Sequence, residues 1–120
     1  MFIRLFFLTL TCIHLSAGSE ERGAVFQAVG NEPGWALKIM SDKKVLFLTN
    51  SGETKTYFEI TEKLSDHSST EYKTHSQNNL LYIRIENRRC QDTMAEKRYE
   101  STVYINFDGV NMKGCGEALF

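Results

Sequence analysis

The residues of this chain that could do chemistry are two cysteines, two histidines and a few acids beside arginines. Cys90 and Cys115 could form a bridge or a redox pair. They do not stand in a Cys-x-x-Cys spacing and no general base accompanies them, so a structural bridge is expected and redox catalysis is not. His67 and His75, with Asp66 and Glu71 nearby, match no zinc-ligand spacing and read as solvated loop residues. Glu32 or Asp92 with Arg89 could make an acid and its partner, but no G-x-S-x-G, H-E-x-x-H or phosphate-loop motif supports an enzyme. No catalytic residue, metal or cofactor is expected. The densest cluster of unusual residues is Arg88, Arg89, Cys90, Asp92, Met94 and Tyr99, closed by Gly114-Cys115-Gly116. This stretch reads as a stapled segment that holds out a surface.

The compartment follows from the first residues and the cysteine count. Met1-Phe2-Ile3-Arg4, the apolar run from Leu5 to Leu10 and the small residues of Leu15-Ser16-Ala17-Gly18 form a secretory signal, residues 1–18, cut after Ala17 or Gly18. The run is well short of the roughly 20 apolar residues of a membrane-spanning helix, so no integral segment is expected in the mature chain. The rival reading acylates Cys12 as a lipoprotein, but Leu10, Thr9 and Thr11 sit poorly before such a cysteine. An ordinary cut removes Cys12 and leaves Cys90 and Cys115 as an even pair in an exported, periplasmic or secreted setting, where a disulfide is expected. Such a bridge closes a loop of about 25 residues, worth roughly 3 kcal/mol in the chain-entropy view.

Charge narrows the partners. A formal net charge of -1 and a pI near 6.3 argue against a nucleic-acid or anionic-membrane binder. Arg88-Arg89 and Lys97-Arg98 concentrate positive charge locally, but Glu86, Asp92 and Glu96 lie among them. A solvated mixed-charge loop accounts for that pattern.

The elements that must position these residues are strands. After a polar leader, Ala24–Val29 alternates, then Gly30-Asn31-Glu32-Pro33-Gly34 breaks the ladder around the only proline. Trp35–Met40 places Trp35, Leu37 and Ile39 on one side. Lys44–Thr49 is apolar on both faces at Val45-Leu46-Phe47-Leu48, so either both faces are covered or one carries a surface patch. Thr54–Glu62 alternates again, while 64–76 reads as a loop and an edge-like strand with only Tyr72 as a large anchor. Leu81, Ile83 and Ile85 form one face, and Tyr99–Phe107 sets Val103, Ile105 and Phe107 inward with Thr102 and Tyr104 outward. Asp108-Gly109 is the strongest hairpin dipeptide, returning through Val110–Lys113. About eight short strands with turn signals every 8 to 12 residues and no amphipathic helix predict an all-β domain over 19–120, a small antiparallel barrel. A meander is the economical topology, and Trp35, Phe47, Phe58 and Phe107 would fill much of its interior.

Gly30-Asn31-Glu32-Pro33-Gly34-Trp35, Cys90-Gln91-Asp92-Thr93-Met94, the aromatic-then-Val stretch Tyr99 to Val103, and Asp108-Gly109 leading to Gly114-Cys115-Gly116 resemble a family of small exported bacterial envelope proteins and lipoproteins. Its signatures are N-E-P-x-W and a C-terminal G-C-G, and its module sometimes accompanies domains related to the heat-shock protein HslJ or to membrane-bound lysozyme inhibitors. The resemblance implies an envelope location and a β-rich fold, calycin-like or lysozyme-inhibitor-like, and imports no activity.

The N-E-P-x-W stretch has two readings. In one, Asn31 or Glu32 caps backbone groups around Pro33 while Trp35 plugs a barrel end. In the other, Glu32 and an arginine of the 88–89 pair frame a polar pocket beside the indole. Asp92 and Met94 divide likewise between ordering the loop and forming a recognition surface. The leading functional expectation is a non-enzymatic module that binds an envelope protein or glycan through the loops at the disulfide end, with lysozyme inhibition as one version. The alternative is a carrier of a small apolar ligand inside the barrel, which requires an unfilled interior.

Overall fold

Alternation of large apolar residues with polar ones dictates strands throughout, and the computed structural model of the protein, which describes residues 23–31, 33–92 and 96–119, contains ten. They are β1 (Ala24–Asn31), β2 (Gly34–Met40), β3 (Lys44–Thr49), β4 (Thr54–Ser65), β5 (Ser69–His75), β6 (Leu80–Glu86), β7 (Cys90–Asp92), β8 (Lys97–Tyr99), β9 (Ser101–Phe107) and β10 (Val110–Ala118). Eight of them close an antiparallel barrel in the order β1-β10-β9-β6-β5-β4-β3-β2, and β7 and β8 form a separate two-stranded hairpin. Each barrel strand pairs with its sequence neighbour in the barrel, so the topology is a meander interrupted once. The interruption is the hairpin, inserted between β6 and β9.

Turn chemistry sets the register. Asp108 and Gly109 both take positive φ, 50° and 93°, the conformation that a two-residue hairpin turn requires. Counting outward from that turn pairs Val110 with Phe107 and Lys113 with Tyr104. The Asp108 carboxylate also accepts the Leu80 N–H at 2.8 Å and the Asn79 side chain, tying this turn to the one before β6. These bonds to the ionised form hold its carboxyl below the usual range.

The interior is filled. Leu37, Val45, Phe47, Phe58, Leu81, Ile83, Val103 and Ile105 are essentially inaccessible. Phe47 sits at the centre, with its ring centroid 5.0 Å from Phe107 and 6.3 Å from both Trp35 and Phe58. Tilted and edge-on rings at such distances add to the gain from area burial. Room for the indole comes from two glycines. Gly30 lies directly opposite Trp35 in the β1–β2 ladder. A methyl group on Gly30 would overlap the indole, and one on Gly114 would overlap both the ring and the Val29 carbonyl. Gly116 leaves the same kind of space for the Phe26 ring. These glycines therefore serve the aromatic core.

Two sequence-based expectations about the strands need correction. β5 is no edge strand, because it pairs along its length with β4 on one side and β6 on the other. Its buried residue is Thr74, whose hydroxyl donates to the Leu81 carbonyl at 2.8 Å. Tyr99 does not belong to the strand of Val103; the chain breaks at Glu100, and Tyr99 lies in β8. Thr102 points outward as expected yet is only 3% exposed, because the hairpin covers it and the Arg88 carbonyl accepts its hydroxyl.

A stapled flap and its grooves as a candidate binding surface

The signature cysteines join by a disulfide, Cys90–Cys115, with the Cα atoms 5.4 Å apart. Cys115 is not at the end of the last strand. It lies inside β10, paired with Val29 on one side and Thr102 on the other, and all three face outward. The bridge thus staples the β7–β8 hairpin as a flap against the outer wall of the barrel. At the far end of β7, Asn31 Nδ2 donates to Asp92 Oδ1 at 2.8 Å. From β8, the Lys97 ammonium meets Glu117 at 3.1 Å, and Gln27 donates to the same carboxylate at 2.9 Å. The Gln27 and Lys97 bonds hold the Glu117 carboxyl below its usual range, and the bond to Glu117 raises Lys97. The covalent bond and these polar contacts to β1 and β10 help fix the flap, and the Thr102 hydroxyl of β9 donates to the Arg88 carbonyl at its root.

Two open grooves flank this arrangement. The larger, about 600 Å³, runs between Cys90, Gln91 and Asp92 of β7 and the wall made by Tyr104, Asn111 and Lys113. The smaller, about 490 Å³, lies by the β1–β2 and β3–β4 turns and is bordered by Trp35, Ala36, Leu48, Ser51 and Tyr99. Val29, Gly30, Asn31 and Asp92 border both. Leu46 and Leu48 face outward and are half-buried, so the doubly apolar β3 run does carry a patch on its outer face.

The sequence-predicted residues separate in space. Asn31 and Asp92 meet, and Asp92 is buried at 8% exposure, which makes it a loop-ordering group rather than a displayed one. Asn31 itself is spent on Asp92 and on pairing with Gly34. Pro33 is exposed in the turn. Trp35 is 5% exposed and belongs to the core, where its Nε1 finds no hydrogen-bond partner among the described residues. Neither arginine frames a pocket beside the indole. Arg88 reaches instead to the Tyr104 hydroxyl and to Glu86 at 2.9 Å, on the β6–β9 wall. Arg89 is exposed and makes no ion pair among the described residues. Glu32 and Met94 lie outside the described residues, as does the predicted signal.

Groove residues that the sequence reasoning did not single out are Gln91, Tyr104, Asn111 and Lys113. A signal was available for two of them, since the Asp108-Gly109 turn sets Lys113 beside Tyr104 by counting. Compared with known proteins, the chain matches no family, no curated protein and no solved structure.

Proposed function

We propose that this protein is an exported, non-enzymatic binding module of the cell envelope that engages a protein or glycan partner through the stapled flap and the grooves beside it. The observation that carries the reading is the flap itself: a short hairpin held against a closed barrel by a disulfide and polar contacts, with an open groove beside it. A rigid scaffold that presents a fixed loop suits recognition, because little ordering remains to be done on binding. The disulfide suits an oxidising compartment. The filled interior favours a surface site over an internal ligand cup.

Arg89 and Arg98 are exposed flap cations without ion pairs among the described residues, so they are the residues to reverse. Immobilised wild type and an Arg89→Glu/Arg98→Glu variant are exposed separately to envelope protein extract and to peptidoglycan fragments. Material retained by the wild type and lost from an equally stable variant supports the reading. Identical profiles, or no retention by either, contradict it. Lysozyme inhibition is one specific version, and unchanged lysozyme activity at large molar excess of the protein removes that version alone.

A further inference from the structure

In the closed order of strands β4 stands as far from β10, which carries the flap, as the ring allows, and its outer face borders a second concave surface. One groove, about 510 Å³, lies between Tyr57 and Glu59 of β4 and the β5–β6 turn, with His75, Gln77 and Asn78 on its far wall. Another, about 760 Å³, runs from the same two residues toward Met40, Asp42 and Lys44 at the β2–β3 turn. Tyr57 and Glu59 border both, so the two meet on β4 as one cleft. Alternation along β4 buries Phe58 completely and leaves Tyr57 62% exposed, which sets an aromatic ring in the middle of that cleft.

The polar groups around the ring are held in place but not used up. Among the described residues no hydrogen bond or ion pair engages the side chains of Tyr57, Glu59, Gln77 or Asn78. The β5–β6 turn is fixed without them: the Ser76 N–H donates to the Asn79 carbonyl at 3.0 Å, and the Asn79 side chain donates to Asp108. Two amides thus stand on an ordered turn, facing the ring and its neighbouring carboxylate.

This is a donor and acceptor set suited to sugars. The C–H bonds on one face of a pyranose are weakly positive and lie against the negative face of an aromatic ring. Side-chain amides and carboxylates match the mixed donors and acceptors of adjacent hydroxyls. Charge argues against a polyanion, since the cleft carries Asp42 and Glu59 against Lys44. Geometry argues against an added strand. The ladder to β5 begins only at Glu59, so Thr54–Phe58 lacks a partner strand on that side, but the β5–β6 turn stands across the gap.

We infer that the cleft binds a neutral oligosaccharide, with one ring stacked on Tyr57 and its hydroxyls bonded by Glu59, Gln77 and Asn78. This site is separate from the flap and does not rest on the flap's role.

Tetrasaccharides of β-linked glucose, β-linked N-acetylglucosamine and α-linked glucose are titrated separately into isotope-labelled mature protein while amide shifts are followed. A heparin tetrasaccharide and an acetylated nonapeptide of alternating threonine and glutamine serve as controls. Expected are saturable shifts at residues 57–59 and 75–79 with at least one neutral sugar, a dissociation constant of about 1 mM or tighter, and weaker binding of both controls. Tyr57→Thr removes the ring and keeps a β-favouring side chain, so it should weaken binding at least about tenfold with the rest of the spectrum unchanged. Tyr57→Phe keeps the ring and should bind within about threefold of wild type. No saturable shifts with any of the three sugars, tighter binding of either control, or wild-type affinity in Tyr57→Thr overturns the inference. Shifts confined to residues 90–92 and 97–99 also overturn it, and support the flap as the glycan site instead.

Discussion

Asn31, at the end of the first strand, donates a 2.8 Å hydrogen bond to Asp92, 61 residues away at the end of β7. This contact joins two of the motifs that are most conspicuous in the sequence, and it gives both a structural role. Hydrogen bonds to charged groups contribute about 1.5–3 kcal/mol. Asn31→Ala should therefore destabilise the protein by about that amount. A double-mutant cycle with Asp92→Ala should return a coupling energy of similar size. Additive single effects would show that the pair is incidental.

The disulfide should dominate the flap's contribution to stability. A closed loop with a separation of 25 residues is worth about 3 kcal/mol. In a domain of this size each kcal/mol moves the midpoint by about 4–8 °C. Replacing both cysteines by serine should lower the thermal midpoint by roughly 12–24 °C, and thiol titration of the native wild type should find no free Cys90 or Cys115. Two reactive thiols in the native exported protein would refute the bridge.

Trp35 is the only tryptophan of the chain, so its fluorescence reports on the barrel core directly. Its 5% exposure predicts blue-shifted emission that moves to the red on unfolding. Gly30→Ala and Gly114→Ala each drive a methyl into the space that the indole occupies. Overpacking of this kind costs about 1–3 kcal/mol, and both variants should lose stability in denaturant titration. Gly52→Ala provides a contrast, because the added methyl meets nothing and any effect there comes from its φ of +86°.

The barrel was legible in the sequence because several of its strands alternate strictly. Trp35, Leu37 and Ile39, and again Leu81, Ile83 and Ile85, mark core faces without help from context. β5 was obscured because its buried anchor is Thr74, a polar residue whose burial depends on a hydrogen bond to β6. The cysteine count pointed to a bridge, yet not to a flap folded back on the outer wall. That placement depends on Cys115 facing outward beside Thr102, a relation between distant strands. The fit of Gly114 to Trp35 was hidden for the same reason: 79 residues separate a missing side chain from the ring that takes its space.

Electrostatics at the second tether give a pH signature. Glu117 has a folded-state pKa below its ordinary 4.5, held down first by Gln27 and then by Lys97. Its contribution is present above pH 4.5 and is lost as pH falls through the lowered value. Lys97 has its pKa raised above 10.5 by Glu117, so its contribution is present below 10.5 and disappears as pH rises through the raised value. The tether should hold between these limits and loosen in acid. Carbon-detected titration of Glu117 should give a depressed value that climbs in Gln27→Ala and in Lys97→Met. A Glu117 that titrates at or above 4.5 in the wild type would remove this tether from the account.

A closed barrel carries a separate flap held on its outer wall by Cys90–Cys115. Amide hydrogen exchange before and after mild reduction tests it most directly. Reduction should speed exchange at residues 90–92 and 97–99 and at Thr102 beneath them, while β2, β3 and β6 keep their protection. Unchanged exchange across the flap, or equal loss of protection throughout the barrel, would contradict it.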